Sequence, residues 1–324
     1  MKIENYIRFL INKKFLTFFA FFIIFNLQFS IFNYSFAQEQ KISFWTPSPE
    51  YNKHRVKLLS YSLAGTYAVS MAGLYQLWYT DYPLGKFHYF DDNNEWLQYD
   101  KIGHFGSAYY VGKWGIGLYD WTGMKHKKAV WIGGSLGMLF TTSIEVFDGY
   151  SSQWGFSYGD IIANTSGYTL LMSQELLWDE QRITIKFSFH TSQYAQYRPD
   201  QFGTTFPEHL FKDYNGTTTW LSGNIHSFLN KDSKFPKWLN LAVGYGVEGL
   251  TGASQNVLEH NGKPIPYFER YRQYYIAPDI DLTKIKTRSK FLHSFFGVFG
   301  FLKLPAPAIE FNSINKTKFH VLYY

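Results

Sequence analysis

Three short clusters carry side chains able to move protons or hold a cation. Asp100, Lys101 and His104 form the first, with Asp100 and His104 four residues apart and so on one face of a helix. Glu145 and Asp148 form the second, three apart and again on one face. Ser157, Asp160 and Asn164, with Gly167 beyond them, form the third. Each cluster sits in an apolar stretch, where ionisable groups are costly and turn towards one another or towards a wet cavity. Packed together, they gather one histidine, one lysine, several carboxylates and an amide. Burial and mutual repulsion separate carboxyl pKa values, which suits general acid–base work. On that reading His104 and Glu145 are the acid–base candidates and Asp148 and Asp160 orient them. Asp100, Lys101, Ser157 and Asn164 would line a binding site.

Each cluster also has a plain structural reading. Asp100 can cap a helix, and Ser157 with Asp160 fits a capping box. Lys101 can pair with Glu145 or Asp148, and a single buried histidine can simply be a satisfied core residue. Histidine with carboxylates can ligate a divalent metal. The usual zinc spacing, two histidines on one turn, is absent, so neither a metal nor another cofactor is expected. Gly133-Gly134-Ser135-Leu136-Gly137 matches the G-x-S-x-G string of serine hydrolases, but that motif needs a strand, a sharp turn and then a helix. Here it lies in an apolar helical run, where its glycines serve close packing.

The elements that must position these clusters are helical. Leu58, Leu59, Leu63, Val69, Met71, Leu74, Leu77 and Trp78 recur at helical spacing, and Ala64, Ala68 and Ala72 fall four apart. Three more helices are predicted over 100–119, 128–147 and 157–178, separated by Gly123, by Gly149 to Ser152 and by Gly155. Each is long enough, or nearly so, to cross a bilayer. After residue 180 the period changes to two: Ile183, Ile185, Phe187 and Phe189 alternate with Thr184, Lys186 and Ser188. Similar alternation over 239–247, 274–282 and 319–323 gives about four strands, too few to close a transmembrane barrel. The aromatic Tyr324 resembles the end of an outer-membrane strand. The Phe-rich segment 291–302, between Lys290 and Lys303, reads as a helix that covers the sheet or lies at an interface. The expected fold class is α+β: an N-terminal apolar four-helix bundle, then a small antiparallel β-sheet with a covering or interfacial helix.

Composition narrows the setting. Aromatics make up 21% of the 324 residues and charged residues only 17%, below the usual quarter. A surface that meets lipid fits this balance. The net charge of +6 favours anionic surfaces; no basic stripe or nucleic-acid module is present, so nucleic acid is not an expected partner. The absence of cysteine removes disulfides, thiolate chemistry and lipidation at an N-terminal cysteine. Lys2, Arg8, Lys13 and Lys14 precede an apolar run from Phe15 to Phe32, and Ser35-Phe36-Ala37 offers a signal-peptidase site. The expected organisation is a signal peptide over 1–37 (or an uncleaved anchor, since the apolar run is long for a signal segment), a connector over 38–56, a helical domain over 57–180 and an α+β extension over 181–324.

Asp-Lys-x-x-His-Phe at 100–105, Glu-x-x-Asp-Gly at 145–149 and Trp-Gly-Phe-Ser-x-Gly-Asp-x-x-Ala-Asn-x-x-Gly at 154–167 resemble the YfiM-like family of predicted periplasmic lipoproteins. The Asp-Lys-x-x-His start and the late Asp-x-x-x-Asn-x-x-Gly are more loosely similar to VanZ-like membrane proteins. The resemblance covers about residues 57–180. It implies an exported, envelope location, and the VanZ-like link points towards the cell wall or its lipid-linked chemistry. The expectation is therefore a periplasmic, membrane-associated protein, at the outer membrane if the C-terminal residue is a guide. Its partner is membrane lipid or a lipid-linked envelope component. Its role is structural or binding, or else enzymatic or lipid-binding through the His/carboxylate site.

Overall fold

The structure, a computed structural model, describes residue 44 and residues 46–79, 83–230 and 232–324. The signal segment expected over 1–37 lies outside them. Helix α1 (Lys53–Leu74) starts where the Asn52 side chain accepts from the Arg55 amide, and it continues into a π turn over Tyr75–Tyr79. Helices α2 (Tyr99–Trp121), α3 (His126–Tyr150) and α4 (Tyr158–Trp178) follow.

The four-helix bundle expected from sequence is corrected to a three-helix core. Helices α2, α3 and α4 each pack against the other two. Helix α1 joins mainly through its N-terminal half: Leu59 packs with Tyr119, Met124 and Ala129, with Val56 and Leu63 alongside. Close backbone approach explains the tight α2–α3 contact. A Cβ at Gly137 would stand 1.9 Å from the Ala108 carbonyl oxygen, and one at Gly115 would stand 2.3 Å from that of Gly133. By length and composition α3 is the one described helix that could cross a membrane; a core helix passes the same test.

The second half begins with strand β1 (Ile183–Phe189), short helices α5 (Pro199–Phe202) and α6 (Phe206–Lys212), then β2 (Thr217–Asn224) and β3 (Leu239–Glu248). A two-strand hairpin, β4 (Glu259–His260) and β5 (Lys263–Pro264), precedes β6 (Tyr271–Ile280). Helix α7 (Lys290–Phe299) leads to β7 (Ala306–Asn312) and β8 (Lys316–Tyr323). The expected small sheet is overturned: one antiparallel six-stranded sheet runs β1-β2-β3-β6-β7-β8. Strands β2 and β7 escaped prediction because Thr217-Thr-Thr-Trp-Leu-Ser-Gly-Asn reads as polar and the 306–312 segment is short and holds Pro307.

The sheet has its polarity reversed. One cross-strand row, Ile185–Leu221–Val243–Ile276–Ile309–Phe319, points outward. Ile185 is buried against the helices in a core with Tyr109, Leu171 and Met172, whereas the next five are 37, 50, 44, 40 and 64% exposed. The adjacent row on the other face carries Lys186, Trp220, Tyr275 and Glu310, each at most 2% exposed. The sheet curls around that polar interior. Tyr323 of β8 reaches across to Thr218 of β2, oxygen to oxygen 2.8 Å, and packs on Tyr275 and Trp220. The outer edge of β1 is covered where the Phe187 amide donates to the Phe301 carbonyl and Lys303 donates back.

Candidate functional site

The helical core brings the three sequence clusters to one place. Helix α2 begins after a tight turn in which Trp96, Leu97 and Gln98 all have left-handed backbone angles. Such angles cost non-glycine residues roughly 1–2 kcal/mol each. The turn is tied down by the Tyr245 hydroxyl, which donates to the Leu97 carbonyl. It sets Asp100, Lys101 and His104 at the first turns of α2. Gly167 of α4 meets α2 closely, since a Cβ there would lie 2.1 Å from the Phe105 carbonyl oxygen. That contact holds Asp160 and Asn164 beside His104.

Lys101 is the hub of one half. Its ammonium lies 2.6 Å from Asp92, 2.7 Å from Asp160 and 3.4 Å from Asp100. Ser157 caps α4 by accepting from the Asp160 amide (3.2 Å), and its hydroxyl donates to Asp92 (2.6 Å). The capping serine is therefore as expected, but the Asp160 carboxylate serves Lys101 instead of reaching back. The Ser157 amide is taken by Glu145 (3.3 Å), from α3. Lys101 pairs with neither Glu145 nor Asp148 within ion-pair distance among the described residues.

His104 is the hub of the other half. Its Nδ1 donates to Asn164 Oδ1 at 3.2 Å and lies 3.5 Å from Glu145 Oε1; its Nε2 lies 3.8 Å from Asp160. Glu145 and Asn164 are fully buried. Glu145 Oε1 and Asn164 Nδ2 have no hydrogen-bond partner among the described residues. Asp148, one turn along α3, accepts from the Tyr79 hydroxyl at 2.5 Å, and Asp100 accepts from Tyr214 at 3.3 Å.

The electrostatics follow from five carboxyl groups facing one lysine and one histidine. Burial, reinforced by Asp160 and Asp148 and opposed by His104, pushes the Glu145 carboxyl up to about 8. Burial likewise raises Asp148 and Asp160 to about 6. Burial alone would lower His104, but Asp100, Asp160 and Glu145 outweigh it and raise its pKa. Burial would raise Asp92, yet its bonds from Lys101 and Ser157 hold it below the usual range. Burial thus favours the protonated form of Glu145, while the surrounding charges favour the charged forms of His104, Asp92 and Lys101. Asp100, His104 and Asp160 have ligand atoms within 4.8 Å of one another, but the Lys101 ammonium already stands against Asp160.

Asp92, Tyr79 and Tyr214 were not singled out from sequence. Asp92 sits in Asp91-Asp92-Asn93-Asn94, which reads as a solvated turn. It is delivered by the segment before it, where the His88 amide donates to Gly149 and the Phe90 and His88 backbones pair with Phe156. Ser135 lies inside α3 and donates to the Trp131 carbonyl four residues back, as a helical serine does, so the hydrolase string has no elbow.

Fold and site together define an α+β protein with a buried histidine–carboxylate constellation in a three-helix core. Residues 88–175 match a family described as predicted periplasmic lipoprotein (DUF2279). No curated protein and no solved structure matches the chain. The matched stretch holds Asp92, Asp100, Lys101, His104, Glu145, Asp148, Ser157, Asp160 and Asn164, and it stops before the sheet. It supports a periplasmic, envelope-associated location.

Proposed function

We propose that this is a membrane-associated envelope protein that binds an amphipathic or lipid-linked envelope component at its helical core and transfers a proton there. His104 and Glu145 act as the acid–base pair, with Asn164 and Asp160 holding the imidazole. Lys101, Asp92 and Ser157 serve as the structural half that locks α2 to α4. The observation that carries this reading is the pairing of a fully buried Glu145, satisfied at one oxygen only, with His104 at 3.5 Å. Half-satisfied buried groups reduce stability and are kept where function needs them. An open cleft beside the site, lined by neither His104 nor Glu145, has an amphipathic wall: Lys101, Gln98, Asn93 and Arg272 stand with Ile102, Ile162 and Tyr274. The VanZ-like spacing read from the sequence, Asp-Lys-x-x-His and Asp-x-x-x-Asn-x-x-Gly, is in keeping with lipid-linked wall chemistry.

The test is to incubate wild type, Glu145→Gln and His104→Ala with lipid extract from envelope membranes and follow bound and converted species by mass spectrometry. Wild type should retain and convert a component; Glu145→Gln should retain it without conversion. Identical spectra for all three, with His104→Ala losing several degrees of unfolding midpoint, would show a purely structural network.

A further inference from the structure

We infer that the outward face of the six-stranded sheet is a lipid-contact surface, seated against a membrane containing anionic phospholipid. The polarity reversal carries this. Ordinary half-buried strands turn apolar residues inward and polar ones to water. Here the polar face is the buried one, and it is already filled: Lys186 lies 2.7 Å from Asp279, Ser222 donates to Asp279 at 2.6 Å, and Trp220, Tyr275 and Tyr323 pack together. The apolar face is therefore the exterior of a completed unit and not one wall of a missing core. Leu221, Val243, Ile276, Ile309 and Phe319 run across five consecutive strands with no charge in the row. Such alternation, apolar out and polar in, is that of strands facing lipid.

The margin of the band identifies the occupant. Two residues along β6 from Tyr274, on the same face, stands Arg272, whose guanidinium donates to the Gln98 side-chain oxygen and has no carboxylate at ion-pair distance among the described residues. Arg272 lines a cleft with Tyr245 and Tyr274, whose rings lie 5.5 Å apart. Aromatic residues with a cation beyond them mark the headgroup level of a membrane-facing surface. Helix α7 repeats the chemistry, exposing Phe291, Phe295 and Phe299 after the exposed Lys286 and Arg288. A second copy of the chain is the alternative occupant of so apolar a face, and the test below separates the two.

This inference rests on the membrane association proposed above but not on its acid–base chemistry, because the apolar row lies on the sheet and not on α2–α4. The cysteine-free sequence makes its test direct. Single cysteines at Val243, at Ile276 and, as control, at the exposed Lys263 carry an environment-sensitive fluorophore on the full chain. On adding vesicles of phosphatidylethanolamine and phosphatidylglycerol, the labels at 243 and 276 should shift to the blue and lose iodide quenching; the label at 263 should do neither. Ile276→Asp should reduce the vesicle-bound fraction in flotation about tenfold or more without moving the unfolding midpoint in detergent. Labels at 276 that stay quenchable with vesicles present would overturn the proposal. So would labels protected without vesicles in a particle of twice the monomer mass, which would assign the face to a second copy.

Discussion

Two of the buried charged clusters, one around Asp279 in the sheet and one around Lys101 and His104 in the helices, are built on opposite principles. In the sheet, two lysines face one carboxylate: Lys186 reaches Asp279 and the Ile280 carbonyl, both at 2.7 Å, and Lys303 reaches the Pro278 and Leu304 carbonyls at 2.9 and 3.1 Å. Backbone carbonyls absorb the surplus positive charge, and Lys303 also lies over the Trp220 ring at 4.9 Å. In the helices the surplus is negative. Asp92, Asp100, Glu145, Asp148 and Asp160 surround Lys101 and His104, and three of these carboxyls are pushed well above their ordinary range. A surplus of cations near carbonyls can be satisfied without any proton moving. A surplus of buried carboxylates is met partly by donors such as the Ser157 amide and the Tyr79 and Tyr214 hydroxyls, and burial shifts Glu145, Asp148 and Asp160 towards their protonated forms.

Removing a charge from the sheet cluster should have the largest effect. Asp279→Ala leaves Lys186 and Lys303 buried without a counter-ion, and a loss of about 3–5 kcal/mol is expected. Chemical unfolding measures it; a loss below about 1 kcal/mol would mean that the carbonyls alone suffice and would break the contrast. Lys101→Met comes next, at about 3 kcal/mol near pH 8, because Asp92 and Asp160 lose their cation. Its sign with pH follows from Asp92. Lys101 and Ser157 depress that carboxyl, so its contribution is present above its unfolded pKa and is lost as pH falls through the lower folded value. The variant's deficit should therefore shrink towards pH 3. A deficit independent of pH would mean that Lys101 matters through packing and not through charge.

How much of this was legible in the sequence differs between the halves for a physical reason. The helical clusters were found because spacing of three or four fixes a shared face, and His104, Glu145, Asp160 and Asn164 do converge. Asp92 was hidden because its role depends on a long-range pairing of residues 88–90 with 149–156, which no local period reveals. In the sheet, the alternation over Leu239–Glu248 was visible, but which face was inside was not. Period two is the same whether Leu241 and Val243 point in or out. Only the curl, with Tyr323 against Thr218, shows that Asn240 and Ala242 are the buried ones. Helix α7 was expected to cover the sheet or lie at an interface, and Phe291 and Phe295 are exposed on it.

The smallest effect, Glu145→Gln, separates the two clusters most sharply because its sign is opposite. Glu145 is fully buried and its carboxyl is pushed up to about 8, so the folded state keeps a proton that the unfolded chain releases near 4.5. Between those values the folded state binds more protons, and stability falls as pH rises. Its stabilising contribution is complete below the unfolded value and is lost as pH passes through about 8. Glutamine keeps the shape and the neutral state at every pH. The variant should match wild type within about 0.5 kcal/mol at pH 5 and exceed it by about 2 kcal/mol at pH 9. Paired unfolding curves at the two pH values decide it. A variant weaker than wild type at pH 9 would show that the Glu145 carboxylate is as firmly held by His104 and the Ser157 amide as Asp279 is by its lysines, and the two clusters would then be alike.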